Sequence, residues 1–133
     1  VVTATIKGLT PATNPRFIGD ANVGSSLTLS QYYSAFGPLA CGIFDNVTNV
    51  VTGNAMTLGV LAKFGTTLNG TAGAAVLNAG TPATGTLGSF AAMTGWTFGS
   101  AADYPNEVMN GWFQRIRYWP RALSLPDLHA LTT

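Results

Sequence analysis

The sequence is poor in charge. Only 8% of its 133 residues are Asp, Glu, Lys or Arg, six basic against five acidic, and the formal net charge is +1. Soluble domains usually carry about a quarter charged residues. A near-neutral chain has no field to draw in DNA, RNA or an anionic membrane. It also has little self-repulsion to keep it apart from its neighbours. Cys41 is the single cysteine, which excludes an internal disulfide framework and a cysteine cluster for zinc. It lies in the apolar run PLACGIFD and reads as a small buried hydrophobe rather than a nucleophile. No run approaches the roughly 18 apolar residues of a membrane span, and none reads as a secretory leader. The chain starts VVTATIKG without Met, so a processed start or a piece of a longer protein is expected.

What is present is hydrophobic residue, 47% of the chain, too much for disorder. It comes as short runs rich in Val, Thr, Ile and Phe between Gly, Pro and Asn, the pattern of an all-β protein. Val1–Lys7, RFIGDA, Ser25–Ser34 and LACGIFDNV are predicted strands, with turns from Asn46 to Asn54. Met56–Phe64 alternates most clearly, placing Met56, Leu58, Val60, Ala62 and Phe64 on one face. Asn69-Gly70 signals a hairpin with a type I′ turn, and GAAVLNAG is its returning strand. GTPATGTLG reads as flexible loop, Phe90–Phe98 as a strand interrupted near Thr94-Gly95, and SAADYPNEVMNG as a polar loop. The expectation from these residues is one all-β domain over residues 1–133, a sandwich or a barrel, with a short C-terminal helix.

The tail, NGWFQRIRYWPRALSLPDLHALTT, is the densest part of the chain. Phe113, Ile116 and Tyr118 share a face only if one extra residue is inserted near Gln114-Arg115, as in a β-bulge. Arg115, Arg117 and Trp119 then look outward. Pro120 cannot donate to a ladder and ends the strand. Ser124 followed by Asp127 is the pattern of a helix N-terminus, and Pro126 suits its first turn. Leu125, Leu128 and Leu131 would share the face that docks on the sandwich. The tail thus reads as a structural clasp.

The same residues carry a resemblance. Asn110-Gly111, Phe113, Ile116, Arg117, Tyr118-Trp119 and Arg121-Ala122-Leu123-Ser124 are similar to the closing signature of concanavalin A-like lectin/glucanase domains of the laminin-G-like type. TTLNGTAG resembles that family's hairpin, and GWTFGSAADYPNEVMNG its glycine-serine loop before the last strand. The Arg-Tyr-Trp-Pro-Arg-Ala-Leu-Ser form, on an Ala/Thr/Gly-rich body, is most similar to versions in tailed-phage and prophage virion proteins. The resemblance implies a two-sheet jelly roll whose last strand lies near its first. It also implies more strands than 133 residues supply, so that an upstream segment or a partner chain completes the sheet.

Four kinds of site follow. The tail interleaves Arg115, Arg117 and Arg121 with Trp112, Tyr118 and Trp119, as single-strand nucleic-acid surfaces do, but the near-zero charge argues against it. Glycoside hydrolysis needs two carboxyls about 5 to 9.5 Å apart. The acids are Asp20, Asp45, Asp103, Glu107 and Asp127, and they offer only the loop pair Asp103 and Glu107. A triad through His129 lacks a nucleophile elbow. Glycan binding without catalysis needs an aromatic face with polar neighbours. Trp96, Asp103, Tyr104, Asn106 and Glu107 supply these, with Tyr32-Tyr33 as further rings. The family resemblance allows calcium at Asp103, Asn106 and Glu107; no other cofactor is expected. The expected function is a non-catalytic structural and adhesive domain on a virion surface, as capsid decoration or tail-fibre appendage. Its partners would be other virion subunits or copies of itself and a cell-surface glycan, with neither nucleic acid nor membrane. The alternative is a dedicated carbohydrate-binding module.

Overall fold

The structure, a computed structural model, describes residues 2–8, 16–21, 28–33, 40–45, 48–57, 59–89, 95–100, 109 and 111–133. In chain order the elements are β1 (Val2–Gly8), β2 (Arg16–Asp20), β3 (Thr28–Tyr33), β4 (Ala40–Phe44), β5 (Asn49–Ala55), β6 (Ala62–Asn69), β7 (Ala72–Leu77), β8 (Ala83–Thr86), β9 (Trp96–Phe98), β10 (Gly111–Tyr118) and α1 (Leu125–Ala130). The strands form two antiparallel sheets, ordered β10-β1-β6-β7-β8 and β5-β4-β3-β2-β9. This is the expected all-β sandwich with a short C-terminal helix. β10 pairs with β1, so the last strand lies beside the first.

The two sheets close on a core of Phe17, Ile18, Cys41, Ile43, Val50, Met56, Ala62, Phe64, Ala75, Leu77 and Leu87. Phe17 and Ile18 are consecutive yet both reach it. The β2–β3 register slips between Arg16 and Ile18, and such a slip lets neighbouring residues escape strict alternation. Cys41 is fully buried, and burial pushes its thiol up to about 12. A side chain on Gly85 would place its Cβ 2.9 Å from Val50; glycine lets β8 lie close against β5 in the other sheet. The Asp45 carboxylate accepts from the Thr48 and Gly88 backbone N–H groups, tying the end of β4 to the chain after β8.

Several local expectations are corrected. Met56–Phe64 is not one strand: β6 begins at Ala62. Gly59 has φ +75°, and the Val60 N–H turns back to the Thr57 carbonyl. A left-handed residue breaks an extended run, and Val60 and Leu61 are left exposed. The turns expected over Asn46 to Asn54 hold β5, whose Thr52 hydroxyl accepts from Cys41 N–H and donates to the Asn54 carbonyl. The loop GTPATGTLG contains β8, a sheet-edge strand whose small residues are chosen by packing rather than propensity.

The turns also exchange types. Asn69 pairs with Ala72, so the central residues of that hairpin are Gly70 and Thr71. Only Gly70 has positive φ, +57°, the type II′ arrangement. Consecutive positive φ occurs instead at Asn78 (47°) and Ala79 (51°), where Gly80 N–H donates to the Leu77 carbonyl at 2.8 Å.

The helical part of the clasp forms, with a narrower docking face than expected. Ser124 caps α1: its Oγ accepts from Asp127 N–H at 3.3 Å and donates to the Asp127 carboxylate at 2.6 Å. Leu128 is fully buried against Ala74 and Val76 on the outer face of β7. Leu131 is half-buried, but Leu125 is exposed, so the docking face is narrower than the three-residue spacing suggests. His129 Nε2 meets the Ala79 carbonyl at 2.7 Å, and Lys63 Nζ donates to the Thr133 carbonyl.

Candidate functional site

β9 and β10 stand at the edges of different sheets, and their inward side chains meet across the sandwich. In β9, alternation puts Trp96 and Phe98 on one face and Thr97 on the other. The Thr97 hydroxyl is held by the Ser100 and Gly19 carbonyls, at 2.8 and 3.3 Å. Phe98 stands opposite Ile18 of β2, and Trp96 opposite Asp20.

From the other sheet, β10 presents Phe113 and, beyond the bulge, Ile116 and Tyr118. The bulge is visible in the register: Arg115 pairs with Thr5, but Phe113 pairs with Ile6, leaving Gln114 as the extra residue. Trp96 meets Tyr118 edge-on with ring centroids 6.0 Å apart, and Phe98 meets Phe113 at 6.1 Å with planes at 80°. Both are favourable aromatic geometries.

Above these contacts lies an open cleft of about 190 Å³ lined by Ile18, Trp96, Phe98, Ile116 and Tyr118. Ile18 is its buried floor, while Tyr118 is 59%, Phe98 53% and Ile116 36% exposed. The three tail residues therefore share the expected side, but only Phe113 packs on the core. Ile116 and Tyr118, read from sequence as part of the closing face, instead wall an open cleft.

Of the sequence-derived glycan residues, Trp96 lies in this cleft. Asp103, Tyr104, Asn106 and Glu107 fall outside the described residues, and the calcium expectation with them. Among the described residues no group of three His, Cys, Asp or Glu comes together. Asp45 and Asp127 have structural partners, and Arg16 is buried with its guanidinium 4.7 Å from the centre of the Phe44 ring. Sequence reasoning missed Ile18 and Phe98 as site residues. The available signal was WTF itself, whose two rings alternate onto one side. A wider groove of about 420 Å³ crosses the outer face of β7 and β8, but its lining from Thr67 to Leu125 holds no aromatic or titratable side chain.

No family model and no curated protein matches the sequence. Among solved structures, the leech intramolecular trans-sialidase in complex with 2,7-anhydro-Neu5Ac superposes on 98% of this chain, with a TM-score of 0.68 and 14% identity. The likeness is one of fold. This chain spans 22% of that protein's length, so the shared part is a β-sandwich within a larger molecule.

Proposed function

We propose that this β-sandwich is a non-catalytic, adhesive glycan-binding module, and that the cleft between β9 and β10 is its sugar site. The observation that carries this is the half-buried Trp96 edge-on to the exposed Tyr118, over a buried Ile18. Sugars dock their C–H faces on aromatic rings, and Trp and Tyr add an N–H and an O–H for the hydroxyls. Asp20, at the register position opposite Trp96, puts an acidic residue at that end of the ladder. At about 190 Å³ the cleft is smaller than the roughly 300–1,000 Å³ of drug-sized pockets. It suits a single pyranose ring at the end of a glycan rather than a long oligosaccharide. The lining among described residues carries no cation, which favours a neutral sugar. The fold shared with a protein solved in complex with a sialic acid derivative agrees with a glycan ligand in general.

A glycan array with the full chain tests this reading. Selective binding to glycans with a common terminal sugar, lost in Trp96→Ala and in Tyr118→Ala, is the expected result. Binding to none, or binding that survives both substitutions, would sink it. Release of any sugar from the array glycans would contradict the non-catalytic part.

The setting we propose is the surface of a virion, among copies of itself or other subunits. The support is the charge-poor surface and the resemblance of the tail to the concanavalin A-like domains of phage virion proteins. A mass that stays monomeric under native conditions at every concentration would count against it.

A further inference from the structure

The few charges of this chain are not spread evenly. Its cations are Lys7, Arg16, Lys63, Arg115, Arg117 and Arg121. Arg16 is buried. Lys7, Lys63, Arg115 and Arg117 all stand on one sheet, in β1, β6 and β10, and Arg121 follows β10 by three residues. The five strands of that sheet contain no Asp or Glu. A chain of net charge +1 thus carries four cations and no acid on one of its two sheets.

The register arranges them in rows. Arg115 pairs with Thr5, which pairs with Lys63; Arg117 pairs with Thr3, which pairs with Gly65; Trp112 pairs with Lys7. Adjacent strands are about 4.8 Å apart and alternate residues about 7 Å apart along a strand, so Arg115 has Arg117 roughly 7 Å along its strand and Lys63 roughly 10 Å across. Arg115, Arg117 and Lys63 are exposed. Lys63 also meets the Thr133 carbonyl, but an ammonium has three donors. α1 packs on β6 and β7 of this outer face, where Leu128 covers Ala74 and Val76.

The sorting of side chains on β10 selects among polyanions. Surfaces for single-stranded nucleic acid interleave cations with stacking rings on one face. Here the bulge puts Phe113, Ile116 and Tyr118 on the inward side, Phe113 against the core and the other two in the cleft, and alternation sends Arg115 and Arg117 to the opposite side. That side keeps Trp112, 49% exposed, at one end of a row of cations, with threonine positions between the charges. Such a face complements a polymer with anionic groups at sugar-ring intervals, on which guanidinium forks find carboxylate partners. We infer that the outer face of β10, β1 and β6 binds an acidic polysaccharide, with Arg115, Arg117 and Lys63 as its cationic contacts. This second site lies on the other side of β10 from the cleft and does not depend on it.

Titration calorimetry of the full chain with polygalacturonate, neutral dextran and poly(dT) tests the inference. Polygalacturonate binds and dextran does not. The Arg115→Gln/Arg117→Gln double variant, whose altered side chains are exposed and leave the core intact, loses roughly tenfold in affinity, and its slope of log K against log salt falls by about two. Lys63→Gln, a single charge, lowers the slope by about one. Trp96→Ala binds polygalacturonate as the unaltered protein does. Undiminished affinity in the folded double variant would overturn the inference. So would tighter binding to poly(dT), or loss of polygalacturonate binding in Trp96→Ala.

Discussion

The C-terminal tail divides into two halves of opposite character. The α1 half is closed: Ser124 satisfies the helix N-terminus, Leu128 has no exposed surface, and His129 meets the Ala79 carbonyl. The β10 half is open, with Trp112, Ile116 and Tyr118 each more than a third exposed. Both halves are rich in large side chains, so composition does not tell them apart. What differs is the surface each one meets. α1 lies on a sheet face that it covers, whereas β10 is a sheet edge facing another edge across a gap. One half anchors the chain and the other displays a cleft.

The difference should appear as a gradient of stability effects. Leu128→Ala carries the largest, a loss of about 2–5 kcal/mol in urea unfolding, because the cavity opens under a helix that cannot collapse onto the sheet. Cys41 extends the contrast to the core. Its thiol stays neutral in the fold up to about pH 12, against an ordinary 9.0, so the unfolded chain loses its proton first. The contribution is fully present below pH 9 and is lost as pH rises from 9 towards 12, at about 1.4 kcal/mol per pH unit. Unfolding curves at pH 8 and 10 should therefore differ more in the native protein than in Cys41→Val. Ser124→Ala removes the cap and should cost about 1 kcal/mol.

Two substitutions should do little or the reverse. Ala79→Gly relieves a left-handed alanine beneath the helix and should raise stability by about 0.5–1 kcal/mol, read as a higher urea midpoint. Tyr118→Ala, in spite of its size, should change stability by less than about 1 kcal/mol because the ring is mostly in solvent. If Tyr118→Ala proved as costly as Leu128→Ala, the two halves would not differ and the cleft would be core.

Much of the fold was legible in the sequence, for reasons that separate by element. The capped helix and the bulged last strand were readable because their signals are local: Ser124 with Asp127, and the failed alternation from Phe113 to Tyr118. β5 and β8 were not. Their Asn, Gly and Thr residues suit pairing and close approach, as Gly85 under Val50 does, and such choices make sense only against the other sheet. Met56–Phe64 misled because its alternation is genuine but Gly59 takes a positive φ within it. The candidate site was legible only through Trp96. That Phe113, Ile116 and Tyr118 share a side followed from the sequence. That this side opens beside β9 depends on which strands end at the sheet edges, and no local pattern records that.

The most direct test is a titration followed by the indole N–H signals of Trp96, Trp112 and Trp119 in ¹H–¹⁵N spectra, using the glycan that scores highest on the array. Trp96 lies in the cleft and Trp112 on the opposite face of β10, so the signals report the two surfaces separately. The expected result is a saturable shift of Trp96 alone, abolished in Tyr118→Ala. Saturable movement of Trp112 with Trp96 unmoved would contradict the assignment of the sugar site to the cleft.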